Sequence, residues 1–315
     1  MNSMNQKIPP SVCLAPMAGF TDVSFRLLCR EQGVDGLFSE MVSAKGLLFE
    51  SEKTKELLRI DPAEGPVTIQ LFGHEPEVVL EGAKLALEIA GENCRGIDLN
   101  MGCPAPKITG NGDGSALMKD PILAGRIVEM LAKGIHLPVS VKFRAGWDAA
   151  HKNCIEFAKI MEESGAAFLT VHGRTREQQY AGKADLDCIA GVKAAVSIPV
   201  IGNGDITDGP SARHMLSYTK CDGLAVGRGA LGNPFVFREI QQLLRGETPT
   251  PATREERFSM ALRHTEMVLK NKGPHGLVEL RKHLPFYISG FPGASRLRVR
   301  LQQAKTLEEI REILT

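Results

Sequence analysis

The residues with chemical content in this chain gather at the ends of short apolar runs. In VSVKFR, Ser140, Lys142 and Arg144 alternate with Val141 and Phe143, so the three polar side chains share one face of a strand. A lysine turned inward there meets an anionic or electron-rich ligand, whereas one at a rim snorkels with its charge in water; both readings fit the pattern. Thr170, His172 and Arg174 repeat it, with His172 either a ligand contact or a satisfied structural imidazole. IGNGDI puts an amide, Asn203, and a carboxylate, Asp205, where the chain turns, and AVGRGAL sets Gly227 and Gly229 around Arg228 ahead of a short helix. Glycine backbone, a guanidinium and a helix N-terminus suit a phosphate group. Cys103, in NMGCPAPKITGNGDGSAL, is the one cysteine at such an end, and Pro104 stops regular structure after it. A reactive thiol and an inert small apolar side chain both remain open for it.

Several alternatives fall away. GNGDG follows its strand only after a proline-containing segment and does not open directly into a helix, so it lacks the dinucleotide-binding arrangement. Walker, HExxH and calcium-loop patterns are missing, and no metal site is expected. Gly110, Gly112 and Gly114 read as a mobile substrate loop or as a plain connector. Seven cysteines without a CxxC pair argue against a disulfide framework or a cysteine-rich metal site. MNSMNQKIPPSV lacks the apolar core of a leader, and no run of about 18 apolar residues follows, so the cytoplasm is the expected location and no membrane is involved.

The elements that must position these residues alternate along the first 230 positions. VCLAPM, GLFSEMV, VTIQLFG, GIDLNMG, VSVKFR, AFLTVHG, PVIGNG and GLAVGRG are eight candidate strands. Helical spacing fills the gaps, as in Pro76–Ala90, Pro121–Lys133, Cys154–Glu163 and Gly209–Ser217. Parallel strands need such crossovers, and eight units predict an α/β fold, a (β/α)8 TIM barrel, whose strand C-termini surround one mouth. RGETPTPAT, residues 245–253, reads as a linker from a barrel domain, 1–244, to a small all-helical domain, 254–315. The whole chain carries a formal charge of +1, yet 12 basic and 7 acidic residues from Arg254 onward give that region +5. Such a surface suits a polyanion, or is simply solvated.

In order along nearly the whole chain, APMAGFTD, SEM, NMGCPAPK, VKFRAGWD, VHGRTREQQYAGKADLD, GNGDI, GLAVGRGALGNPF and RKHLPFYISGFPGA resemble the bacterial tRNA-dihydrouridine synthases, the DusB-like group in particular. The resemblance implies FMN in the barrel mouth, NADPH as reductant, tRNA as partner, and reduction of the C5=C6 bond of selected uridines. It places Pro16, Met17 and Ala18 beside the flavin ring and Gln70 and Lys142 on its polar edge. It sets His172 toward the phosphate side, Asn203, Gly204 and Asp205 along the cofactor, and Gly227 and Arg228 on the phosphate. Cys103 becomes the proton donor to uracil C5, and Asn100 and Arg144 become substrate-side residues or supports behind the residues that touch the substrate. In the helical domain Arg281, Lys282, Arg296 and Arg298, with His283 and Arg300 nearby, are the candidates for RNA contact. The segment Pro104–Gly114 is expected to be a movable cover over the flipped base. Ala145 and Leu186 depart from the commonest family pattern and bear on fine substrate detail only. No obligate protein partner is implied.

Two other readings compete. A flavin barrel acting on a small unsaturated metabolite shares the cofactor site but leaves the basic helical region without a purpose. A non-enzymatic RNA-binding module explains that region but not the convergent polar strand ends.

Overall fold

The computed structural model describes residues 11–49 and 51–315; the first ten residues of the stretch read above for a leader lie outside the described residues. Its parallel strands are β1 (Val12–Leu14), β2 (Gly36–Phe38), β3 (Val42–Ser43), β4 (Val67–Phe72) and β5 (Cys94–Met101). They continue with β6 (Val139–Arg144), β7 (Phe168–His172), β8 (Val200–Asn203) and β9 (Gly223–Val226). The order β2-β1-β9-β8-β7-β6-β5-β4, with β2 pairing back onto β4, closes eight of them into a barrel. The remaining strand, β3, only extends the C-terminal end of β4, pairing Val42 with Leu71 and Ser43 with Phe72.

GLFSEMV therefore is not one strand. At Ser39 the chain leaves the sheet: Ser39 Oγ accepts from Gln70 N and donates to Glu40 O, and the buried Glu40 carboxylate accepts from Gly19 N. Polar pairing at the mouth outweighs the apolar pattern that suggested a continuous run.

Strand alternation sorts the side chains. Ile97, Leu99, Val141, Phe143, Leu169, Val171, Leu224 and Val226 point outward into the cluster shared with the helices. Cys13, Phe38, Phe168, Ile201 and Ala225 form a separate apolar plug inside the barrel. Above that plug the inward positions turn polar, and the register pairs Gln70 with Asp98, Asp98 with Ser140, Arg144 with His172 and His172 with Asn203. Spacing located the crossover helices well: they span Pro76–Ala90, Pro121–Gly134, Cys154–Glu163 and Gly209–Thr219. Their starts are fixed chemically, since Asp120 caps the second by accepting from Leu123 N and Asp208 caps the fourth through a reciprocal box with Ser211.

The connection at 245–253 has no regular structure. Beyond it lie helices Arg254–Lys272, Gly276–Leu280, Leu284–Tyr287, Ala294–Gln303 and Leu307–Leu314. Helical spacing after Pro274 suggests only two helices, and each is interrupted. The first breaks at the 281–283 turn ahead of Pro285, and the second breaks where Thr306 caps a new helix on Glu309 N. Their apolar cluster, with Phe258, Ala261, Leu280, Leu284, Tyr287 and Ile310, takes in Leu28 and Phe235 from the barrel side. Around this seam Arg263 pairs with Glu31, Lys272 with Asp22, and Asn271 Nδ2 donates to Ser24 Oγ at 3.0 Å. Gly232, at φ +65°, lies against the backbone of Phe286 and Tyr287, and Arg257 donates to both Gly232 O and Phe286 O. Among the described residues no helix is long and apolar enough to cross a membrane.

Candidate active site

The barrel mouth holds a cavity of about 690 Å³. Every barrel residue that the resemblance assigns to cofactor or substrate lines it, whereas Ser140, Thr170 and Arg174 do not: Pro16, Met17 and Ala18 lie after β1, Gln70 on β4, and Asn100 and Cys103 at the end of β5. Lys142 and Arg144 come from β6, His172 from β7, Asn203, Gly204 and Asp205 from β8 and its turn, and Gly227 and Arg228 follow β9.

On one side of the floor runs a polar chain with a fixed direction. Ser140 Oγ donates to Asp98 Oδ1 at 2.6 Å and Gln70 Nε2 to Asp98 Oδ2 at 2.7 Å. Gln70 Oε1 in turn accepts from Asn100 Nδ2 at 2.8 Å, and Asn100 Oδ1 accepts from Cys103 N at 2.8 Å and Gly102 N at 3.1 Å. A carboxylate at one end only accepts and a backbone N–H at the other only donates, so both amides have one consistent orientation. Burial raises Asp98 to about 6, against the pull of its Gln70 and Ser140 hydrogen bonds and of Lys142. Asn100 is thus occupied in shaping the turn that presents Cys103.

The opposite side is cationic. Lys142 Nζ donates to Asn203 Oδ1 at 3.0 Å, while Asn203 Nδ2 donates to Ala225 O at 2.7 Å and so holds the amide in place. Burial, then Arg144, push Lys142 down to about 8. Burial and the cations of Lys142, Arg144, Arg174 and Arg228 push His172 well below its ordinary range, so its imidazole is neutral at pH 7. The carboxylate of Asp205 is already engaged: Arg174 Nη2 donates to both its oxygens at 2.8 and 2.9 Å, and Ala184 N adds a third bond. Burial alone would raise it, but Ala184 N–H and Arg174 hold it below the usual carboxylate range. Arg228, half exposed, lies 4.6 Å from the Tyr180 ring centroid and 3.6 Å from Asp205.

Cys103 is the half-buried member of the free cysteines; Cys13, Cys29, Cys94 and Cys221 are buried, and Cys154 and Cys188 are paired between outer helices. Burial raises its thiol above the ordinary value, against Ala105 N–H, Arg144 and Lys142. Arg144 is itself buried, donating to Gly102 O at 2.6 Å and to Thr175 O and Gln179 O, so it staples the Cys103 turn to the loop after β7.

The segment after Cys103 is half-buried or exposed from Pro104 to Gly112. It contains a short helix, Pro106–Thr109, and is followed by a buried helical turn, Gly114–Lys119. Ser115 N and Oγ both donate to Cys103 O, at 3.1 and 2.9 Å, and His74 Nδ1 lies 2.8 Å from Asp113 Oδ1. Gly112 and Gly114, at φ +90° and +60°, are needed for left-handed backbone, and a Cβ at Gly114 would lie 3.0 Å from Cys103 O.

Of the helical region's candidates, Lys282 is beside the mouth, exposed, with Nζ 5.4 Å from the Phe20 ring. Arg296, Arg298 and Arg300 are exposed along Ala294–Gln303, away from the cavity lining. Arg281 is half buried and donates to Ala304 O at 3.3 Å, so part of its guanidinium serves the local fold. His283 is 3% exposed, its ring 5.0 Å from Phe20 and 4.7 Å from His264, and is removed from any RNA surface. His264, fully buried with Nδ1 3.0 Å from Tyr287 Oη, is lowered to about 4 by burial. The cavity also contains Phe20, Met41, Tyr180, Ile206 and Thr207, together with Phe286 from the helical region. A scan of strand ends passes over these because they lie several residues into loops; APMAGFTD and REQQYAG, within the motifs quoted above, already contain Phe20 and Tyr180.

The profile of a family described as dihydrouridine synthase (Dus) matches residues 13–315. The chain is 40% identical over 305 residues to probable tRNA-dihydrouridine synthase 1 of Synechocystis sp., covering 96% of this chain and 85% of that one. It is 42% identical over 299 residues to probable tRNA-dihydrouridine synthase of Rickettsia conorii, with 93% and 89% covered. With tRNA-dihydrouridine synthase B of Pseudomonas aeruginosa the identity is 39% over 298 residues, covering 94% and 89%. Among solved structures, the old yellow enzyme homologue of Zymomonas mobilis superposes with a TM-score of 0.53 at 15% identity, covering 78% of this chain and 92% of that one. That last likeness is one of fold.

Proposed function

The chain belongs to the dihydrouridine synthase family, and from that premise we propose that it is a cytoplasmic enzyme that reduces uridines in tRNA to 5,6-dihydrouridine, with FMN as cofactor and NADPH as reductant. The barrel, 1–244, is the catalytic part, and the helical region, 254–315, takes the tRNA.

The cavity's chemistry suits FMN. Pro16, Met17 and Ala18 offer an apolar wall for a flat ring, Gln70 and Lys142 offer donors for its polar edge, and Arg228 with the Gly227 backbone offers the charge a phosphate needs. His172, neutral at pH 7, and Asn203, Gly204 and Asp205 complete that side, Asp205 through its backbone because its carboxylate belongs to Arg174. When bound, FMN would supply the hydride and NADPH would restore it.

The protein's own part is to place the base and a proton. Cys103 Sγ holds the proton for uracil C5: its raised pKa keeps the thiol protonated at neutral pH, the state a general acid requires. The Asn100 amide and Ser115 fix the backbone on either side of that thiol, and Arg144 ties the same turn to the next loop. A uridine must leave its stack to enter the mouth, at a cost of a few kcal/mol that contacts from the helical region offset. The observation that carries the reading is this protonated, backbone-fixed thiol on a cavity that Lys142, Arg144 and Arg228 also line.

The test is to purify the protein, which should be yellow, and to treat unmodified tRNA with it and NADPH. Dihydrouridine should form in the RNA. Unchanged uridine after treatment with fully flavinated protein rejects the reading, and reduction of free uracil at the rate of tRNA would favour a small-molecule reductase.

A further inference from the structure

We propose that Lys119 and Arg176, both held against Trp147, form a second phosphate-contact surface for the RNA, on the barrel rim across the mouth from the helical region. The proposal rests on the tRNA reading above and extends it to a place that reading leaves unused.

Lys119 Nζ lies 4.2 Å from the Trp147 ring centroid and the Arg176 guanidinium 4.5 Å from it. The three residues come from the loops after β5, β6 and β7, and the loop backbones lock the arrangement: Arg176 N donates to Gly146 O and Glu177 N to Trp147 O, at 2.9 and 3.0 Å. An indole ring in contact with both cations restrains two long side chains that would otherwise move freely, which reduces the entropy lost when a ligand orders them. Neither cation has a carboxylate within ion-pair distance among the described residues. Arg176 Nε is buried without a hydrogen-bond partner. Asp113 is engaged with His74, Asp120 as a helix cap on Leu123 N, Asp148 with His151 and Asp185 with Lys152, and the exposed Glu177 beside Arg176 forms no ion pair with either cation. Exposed Lys107, on the same loop as Lys119, adds to the charge.

Topology then decides what such a patch faces. In the closed ring β6 stands four strands from β1, directly across the mouth, whereas the helical region packs against the loops after β1 and β9. A small anion would be served by the cavity, where Arg228 and Lys142 lie. Cations spread over three open loops beyond it fit a polyanion that spans the mouth, held on one side by the helical region and on the other by this rim.

The experiment measures tRNA binding by the flavin-loaded enzyme from 50 to 300 mM salt, for wild type, K119Q and K119Q/R176Q. Removing two phosphate contacts should flatten the slope of log K against log salt by about 1.4–1.8 and weaken binding at physiological salt roughly 10- to 30-fold, with K119Q giving about half the slope change. Flavin content and the KM for NADPH should stay at wild-type values. If wild type binds tRNA and both variants keep its slope and affinity, the rim is not an RNA surface; an unchanged slope in K119Q alone is enough to reject it if the double variant does not fold. A raised KM for NADPH with unchanged tRNA binding would also overturn the proposal, assigning the cations to the reductant. Wild type that binds no tRNA would instead refute the function on which the proposal rests.

Discussion

Asp98 lies fully buried beneath the cavity, and its carboxyl titrates at about 6 instead of 3.8, a rise caused by burial. A shift of roughly two units corresponds to about 3 kcal/mol, since each unit is about 1.4 kcal/mol. The folded protein binds this proton more tightly than the unfolded chain does between about pH 4 and 6, so stability from this group declines as pH rises through that window and stays lower above it. Asp98→Asn keeps the shape and abolishes the titration. At pH 7 this variant should therefore be more stable than wild type by roughly 2–3 kcal/mol, a rise in Tm of about 4–8 °C, and the gap should close toward pH 4. Turnover should fall at the same time. The introduced amide can turn either end to Gln70, and the second choice reverses Gln70 and Asn100 so that a donor meets Cys103 N. Calorimetric scans of both proteins between pH 4.5 and 8, with flavin content and dihydrouridine formation measured at pH 7.5, decide the matter. A stability difference that is constant with pH, or that widens on acidification, refutes the assignment of the cost to a buried ionised Asp98.

Cys103→Ala should lower dihydrouridine formation by about 10²- to 10⁴-fold with flavin content unchanged; equal loss of both would remove the acid role. Wild-type turnover should hold through neutral pH and show a falling limb as pH passes the raised thiol value, a limb that Cys103→Ala should lack. For His264, whose folded value is lowered from 6.5 to about 4, the unfolded chain binds the proton more tightly across that window. Stability is thus present above about 6.5 and declines as pH falls toward 4, by roughly 3 kcal/mol, and His264→Phe should flatten this limb in urea titrations. Gly232→Ala would place a Cβ 2.2 Å from Phe286 C at a backbone of φ +65°, so the helical region should loosen. Limited proteolysis should then cut within 245–315 much faster than in wild type, and an unchanged cleavage rate would count against a tight seam at Gly232.

Most of the barrel was legible because parallel strands and their crossovers impose two different periodicities, and both survive in segments such as VSVKFR and Pro76–Ala90. The break in GLFSEMV was hidden, since Ser39 and Glu40 serve partners, Gln70 and Gly19, that no local pattern reveals. Strand-end polar residues converged on the mouth as expected, yet the engagement of Asp205 by Arg174 and of Asn100 by Cys103 N depends on pairings that only the closed ring creates. For the segment after Cys103, composition shows glycine but not its use: the positive φ of Gly114 serves a turn that passes close to Cys103, and that of Gly112 one beside His74.

Phe286 reaches the cavity from the helical region, and Arg257 bonds Gly232 O and Phe286 O together. The irregular stretch at 245–253 is consequently not where the protein could be cut and rejoined. A chimera that took its last 62 residues from a relative, while keeping this barrel, would import a foreign wall into the catalytic chamber and a foreign partner for Phe20, Leu28 and Phe235. Exchange of RNA specificity between such enzymes, by design or by recombination, would have to carry those barrel positions along with the helices.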